Sequence, residues 1–353
     1  MMKHFAFLNS NKLNNNSTKD NTMNSLFTFH NLDTKIEDLI RRTPSLGSKR
    51  DALIEKWQEL RDQKLNIMIT GATGCGKSST INALFNMDAA TMTEVAKVGV
   101  GVDPQTMDIT KYEIGNMVLW DSPGLGDGKD ADLRHSKYII DMLYERDENG
   151  KPLIDLVLVI LDGSTRDLGT SYELINKVII PNLGDDKEQR ILVAINQADM
   201  AMKGRNWDYE SNCPAPALVE YLEDKCLSVR RRILEGTGVD VTPIYYSAGY
   251  KEDGQDQGRP YNLAKLLYFI LMHIPAEKRV VAALNANQNT EMWQDNDSED
   301  YGSKIKLSLK DAITTSLKGA ALGALVGSTF GPVGTAIGTV AGAVIGFIGG
   351  LFG

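Results

Sequence analysis

Eight consecutive residues, Gly71-Ala72-Thr73-Gly74-Cys75-Gly76-Lys77-Ser78, follow the spacing G-x-x-x-x-G-K-[ST]. An apolar run, Leu65 to Ile69, precedes them, and Ser79 to Phe85 reads as a helix that starts where they end. The chemistry that needs this spacing is phosphate binding. Glycines let the backbone curl until several N–H groups point inward at phosphate oxygens. The helix start adds its positive dipole end and, at Ser79, one more N–H. Lys77 carries an ammonium to the outer phosphates, and the Ser78 hydroxyl is a ligand for Mg²⁺.

Four further segments bear on that loop. Asp121-Ser122-Pro123-Gly124 ends an apolar strand. An Asp there can hold Mg²⁺ through water, and a Gly offers a backbone N–H to a terminal phosphate. Asn196-Gln197-Ala198-Asp199 ends another strand. A carboxylate at Asp199 can accept both the N1–H and the exocyclic amine of guanine, a donor pair that adenine lacks. Ser247-Ala248 follows a later strand, where a backbone N–H can meet the guanine O6. Thr106 precedes a hairpin and can close on Mg²⁺ when the terminal phosphate is present; Thr93 and Thr110 are alternatives for that role. The candidate set is therefore Lys77, Thr106 and Gly124 for catalysis and Ser78, Thr106 and Asp121 for the metal. Residues 71–79, Asn196, Gln197, Asp199, Ser247 and Ala248 hold GTP or GDP.

In order and spacing, GATGCGKS, Thr106, DSPG, NQAD and SA resemble the five guanine-nucleotide motifs of the Era-like, TRAFAC-class GTPases. GVGVDPQTMDI followed by WDSPGLGDG is most similar to small bacterial, often prophage-borne GTPases related to Era. DSPGLGDG is also similar to septins and immunity-associated GTPases. The resemblance runs from Leu65 to Ile274. It implies a GTP hydrolase that uses Mg²⁺ and switches with its nucleotide. Three departures matter. Gln197 stands where the family has a lysine along the base. Leu125 stands where Ras-like members carry the glutamine that orients water. Gly74 stands where potassium-activated members carry an asparagine. The resemblance then implies slow intrinsic hydrolysis, completed in trans or by a homodimer or larger homo-oligomer. Arg134 and His135 are candidates for a supplied group, against the alternative that both are ordinary exposed residues.

The elements that must position these residues alternate. Leu65–Thr70, Ile154–Leu161, Arg190–Ile195 and Val241–Ser247 read as strands. Lys77–Asn86, Ala131–Tyr144, Thr170–Val178, Ala215–Leu234 and Leu263–Met272 read as helices. Met107–Ile114 and Met117–Trp120 form a hairpin across Gly115-Asn116, and residues 87–104 read as loop. The fold class expected is α/β: a P-loop NTPase three-layer fold with a mostly parallel sheet and one antiparallel edge strand. Ligands then gather at the carboxyl ends of the strands. Two helices, Asp33–Arg42 and Ser48–Gln63, precede the sheet and pack on it or on another copy. The organisation expected is a disordered leader over 1–30, N-terminal helices over 31–64 and a GTPase domain over 65–285. An acidic linker over 286–303 and a glycine-zipper helical hairpin over 304–353 follow.

From Gly319 to Gly353 no residue is charged, and glycines recur at 319, 323, 327 and 331, then at 334, 338, 342, 346 and 350. Such a stripe lets another helix approach closely. Two apolar helices, about Leu317 to Phe330 and Val333 to Phe352, broken at Gly331-Pro332, are expected, the second about 30 Å long. Membrane association through 319–353 is the functional reading; docking on the GTPase domain, or self-association in a soluble oligomer, is the bland one. Net charge is -8, which argues against nucleic acid as a partner. Arg230-Arg231-Arg232 reads as a solvated helix face. Three cysteines, Cys75, Cys213 and Cys226, fit a reducing compartment, and with the tail place the protein in the cytoplasm or at the cytoplasmic face of a membrane. The four histidines show no metal-ligand spacing.

Overall fold

The computed structural model describes residues 32–85, 93–94, 110–122, 124–125, 128–249, 258–294 and 296–328. The expected leader, Thr106 and the second helix of the expected hairpin lie outside the described residues.

Two helices come first, α1 (Leu32–Arg42) and α2 (Arg50–Arg61), joined by a 3-10 turn over Pro44–Lys49. Ile36 and Ile40 on α1 and Leu53, Trp57 and Leu60 on α2 fall on one face each and are buried. The Trp57 Nε1–H donates to Asp33 Oδ1 at 2.8 Å and ties the pair together. Strand β1 (Leu65–Thr70) leads into α3 (Lys77–Phe85). Next come β2 (Thr93–Glu94), β3 (Thr110–Ile114), β4 (Met117–Asp121), α4 (Lys129–Tyr144) and β5 (Leu156–Asp162). Helix α5 (Gly169–Glu173) continues through a π-helical stretch, Leu174–Ile179, into Ile180–Asn182. The wider turn sits just before Pro181, which cannot donate and crowds the carbonyl four residues back. Then follow β6 (Ile191–Asn196), a small hairpin of β7 (Trp207–Asp208) and β8 (Cys213–Pro214), α6 (Pro216–Thr237), β9 (Ile244–Tyr245), α7 (Leu263–His273), α8 (Arg279–Leu284) and α9 (Tyr301–Ser328).

The main sheet runs β2-β3-β4-β1-β5-β6-β9. β4, β1, β5, β6 and β9 are parallel. β3 runs against both its neighbours. A single reversed strand was expected at the edge. It is present but second from the edge, because Thr93–Glu94, within a segment expected to be loop, adds a further short strand outside it. β9 is shorter than the expected Val241–Ser247. Pro243 has no N–H for the ladder, and Ser247 turns away to pair with Tyr261. Alternate residues of β1 and β5 feed two cores, one on each sheet face. Ile67, Ile69, Leu158 and Ile160 face α1, α2, α3, α7, α8 and α9. Met68, Val157, Val159 and Leu161 face α4, α5 and α6. This is the three-layer arrangement, with the first residues after β1, β4, β5, β6 and β9 at one edge.

The stretch expected to be an acidic linker is packed. Ala286, Asn287, Met292 and Trp293 are buried. Asn287 donates from its backbone N to Leu84 O at 2.7 Å and from Nδ2 to Ala83 O at 2.9 Å. It thereby satisfies carbonyls that the C-terminal end of α3 leaves free. The expected first tail helix begins much earlier than Leu317: α9 starts at Tyr301, and Tyr301, Ile305, Leu309, Ile313 and Leu317 are buried as one stripe in the core that holds α2 and α7. Its backbone continues helical through the first glycines of the tail to Ser328. Among the described residues no helix is long and apolar enough to cross a membrane.

Candidate functional site

The loop after β1 curls as the glycine spacing requires. Gly76 sits at φ 89°, in the left-handed region, and a Cβ there would run into Asn196 Nδ2. That contact is part of a three-way junction. Asn196 donates from Nδ2 to Cys75 O at 2.9 Å and accepts from the backbone N–H of Ala248 at its Oδ1 at 3.0 Å. Gln197 donates from Nε2 to Gly74 O at 2.7 Å. The NQAD segment is thus bonded directly to the phosphate-type loop, more than a hundred residues earlier in the chain, and to the SA pair, 52 residues later. Asn196 is buried at the end of β6, so its amide is fixed in place.

Lys77 and Ser78 open α3, where orphan N–H groups and the dipole end favour an anion. The Lys77 Nζ donates to Gly71 O at 3.0 Å. Ser78 is exposed. Asp121 ends β4 beside β1, its Cα opposite Ile69. Burial pushes its carboxyl pKa up, while the nearby Lys77 ammonium pulls it down. Its Oδ1 is buried with no hydrogen-bond partner among the described residues. A buried carboxylate oxygen left without a donor suits a cation or a cation-bound water. Ser78 and Asp121 therefore fit Mg²⁺ on this chain's own geometry. Gly124 is pressed against the loop so closely that a Cβ would collide with Gly71 O.

Asp199 lies in the 3-10 turn Ala198–Gly204, half-buried, and its carboxylate takes no hydrogen bond among the described residues. It is free to accept from a base. Ser247 and Ala248, which follow β9, are buried. Of the alternatives to Thr106, Thr110 starts β3 with its Cα opposite Asp121, and Thr93 lies in β2. Leu125 packs on the core of the α4 face, as an apolar side chain does; it orients no water.

One expectation changes. His135 is not an exposed residue: it is buried on α4, with Nδ1 3.1 Å from Gly124 O, while Arg134 beside it is exposed. Cys75 is buried, and burial pushes its thiol pKa to about 11, so it fits as a small side chain rather than a reactive one. Trp207 is buried edge-on to Tyr261, with 5.2 Å between ring centroids, whereas Tyr209 is exposed. Arg230 pairs with Asp240 at the surface and Arg232 lies over the Tyr172 ring, as a solvated helix face does. Two supporting contacts had no signal in the sequence. The Tyr246 hydroxyl lies 2.6 Å from Thr80 Oγ1, joining the end of β9 to α3. Lys225 on α6 donates to the carbonyls of Asp162, Gly163 and Thr165 and holds the turn after β5. Gly163 in that turn donates to Asn196 O at 2.8 Å.

The profile of the interferon-inducible GTPase family matches residues 34–145, which span α1 to the end of α4. The uncharacterized protein YfjP of Escherichia coli strain K12 is 27% identical over 155 residues, 43% of this chain and 47% of that protein. Interferon-inducible GTPase 1 of Mus musculus is 34% identical over 92 residues, 25% of this chain and 22% of that protein. The tRNA modification GTPase MnmE of Xanthomonas euvesicatoria pv. vesicatoria (strain 85-10) is 31% identical over 200 residues, 56% of this chain and 40% of that protein. The chain thus spans less than half the length of each of these relatives. Over the matched segments, which include the phosphate-type loop, this chain is thus similar to GTPases.

Proposed function

We propose that this protein binds GTP with Mg²⁺ and hydrolyses it slowly to GDP and phosphate, as a nucleotide-dependent switch related to the Era-like GTPases. The observation that carries the reading is the bonded junction of Asn196 and Gln197 with the carbonyls of Cys75 and Gly74 and with the Ala248 N–H. It sets phosphate donors and a free base acceptor, Asp199, at one sheet edge. The backbone N–H groups of residues 71–79 and the Lys77 ammonium stabilise charge on the phosphates. Ser78 and Asp121 hold the metal, joined by Thr106, and Gly124 offers its N–H to the γ-phosphate. Mg²⁺ bound there supplies fixed positive charge against the phosphate oxygens. No side chain at position 125 orients water, so turnover is slow until a second copy completes it. In support of self-association, Leu133 is 72% exposed on α4 beside the exposed Arg134, and Met200 and Tyr209 are exposed in the segment after NQAD.

The switch controls homo-oligomer formation and the membrane association of residues 319–353 at the cytoplasmic face. The acidic charge balance and the uncharged tail favour that output over nucleic-acid binding. The test is Lys77→Ala in the full chain. Loss of GTP binding and turnover is expected; hydrolysis at the unsubstituted rate would sink the site.

A further inference from the structure

His135 is 2% exposed, on the first half of α4, with its Nδ1 3.1 Å from the Gly124 carbonyl oxygen. Against a carbonyl the ring nitrogen must carry the proton, so Nδ1–H donates and Nε2 is an acceptor in the neutral ring. That Nε2 is buried without a hydrogen-bond partner among the described residues. A leucine or phenylalanine would fill the same place without stranding a polar atom, so packing does not account for an imidazole here. What the imidazole adds is the bond to Gly124. Gly124 is confined from the other side as well, since a Cβ would collide with Gly71 O. Gly71 O in turn accepts from Lys77 Nζ at 3.0 Å. A continuous run of contacts therefore links His135, Gly124, Gly71 and Lys77.

We propose that His135 is a positioning residue for recognition of the γ-phosphate. Its Nδ1–H holds the Gly124 carbonyl, fixes the Gly124–Leu125 peptide and keeps Gly124 against the phosphate loop, with the Gly124 N–H facing the terminal phosphate. The proposal rests on the GTPase reading above. It differs from a group supplied in trans, because a buried ring acts only within its own chain. It is also selective. GDP has no γ-phosphate, so its affinity draws on the loop of residues 71–79 and on the base segment, not on Gly124.

The test is the affinity of the full-length protein, with Mg²⁺, for a non-hydrolysable GTP analogue and for GDP. His135→Phe keeps the bulk and loses the donor; His135→Met does the same with a more adaptable side chain should the phenylalanine variant fail to fold. His135→Gln keeps an amide donor. Loss of one hydrogen bond weakens analogue binding about tenfold in the donor-less variants and leaves GDP binding within about twofold. His135→Gln recovers part of the loss. Equal weakening for both nucleotides would show a structural role and overturn the proposal, as would an unmoved analogue-to-GDP ratio. Wild-type protein that binds neither nucleotide would refute the GTPase reading instead, so the two failures are told apart.

Discussion

Asp199 and Gln197 sit two residues apart and do different jobs. Gln197 is held at φ 59° and spends its amide on Gly74 O, so it braces the loop rather than the base. Asp199 keeps its carboxylate unengaged among the described residues. Asp199→Asn exchanges one acceptor for a donor where guanine presents two donors. GTP affinity should fall roughly a hundredfold, and with it the preference for GTP over ATP. Competition binding with both nucleotides reads this directly, and an unaltered preference would remove Asp199 from the site. Gln197→Ala should behave otherwise. Its bond touches no γ-phosphate neighbour, so GTP and GDP should weaken together, by about threefold to tenfold. A change confined to GTP would contradict the bracing role. At this scale the site was legible wherever chemistry dictates both type and spacing, as in Gly76, Lys77, Ser78 and Asp199. It was not legible where a bond joins residues remote in the chain. Nothing local in Thr80 or Tyr246 announces a partner, because that partner is brought up only by the sheet.

Between elements, the Tyr246–Thr80 bond shows how the fold holds its site edge. Thr80 Oγ1 donates to Gly76 O at 2.8 Å, so the hydroxyl of Tyr246 is the donor toward Thr80. Tyr246 is fully buried, and burial pushes its phenol pKa far up. The two partners are therefore unequal. Tyr246→Phe removes a donor and leaves Thr80 still bonded to Gly76, a loss of about 1 kcal/mol. Thr80→Val strands a buried hydroxyl and removes the Gly76 bond as well, for about 2–4 kcal/mol. Urea unfolding should rank Thr80→Val as the more damaging, and the reverse order would mean the hydroxyl finds another acceptor. Sheet and helices were mostly legible because period and buried aliphatic runs state them: β5 and β6 lie almost where the apolar runs do. Residues 286–303 were not. Glu299 and Asp300 are exposed, but Asp297 pairs with Lys265, and Trp293 and Asn287 reach inward, Trp293 Nε1 donating to Asn287 O at 2.7 Å.

For the whole molecule, α9 decides how the tail relates to the GTPase domain. Lys304, Lys306, Lys310 and Asp311 interrupt its sequence and mask a stripe that recurs every four residues from Tyr301 to Leu317. That stripe lies in the same core as α2 and α7, so the helix is anchored over its first half and carries the start of the glycine series to Ser328 as continuous backbone. The anchored half and the glycine-rich half should then separate by experiment. Leu309 is fully buried, and Leu309→Ala should cost about 2–5 kcal/mol in unfolding free energy through the cavity it leaves. Deleting residues 319–353 removes none of the buried stripe, so nucleotide affinity and unfolding free energy should stay near those of the full chain. Flotation with anionic lipid vesicles should nevertheless be lost. If flotation persists without residues 319–353, membrane contact comes from elsewhere in the chain. If the deletion destabilises the protein as much as Leu309→Ala does, the glycine-rich segment is docked on the GTPase domain, and the switch has no free tail to deliver.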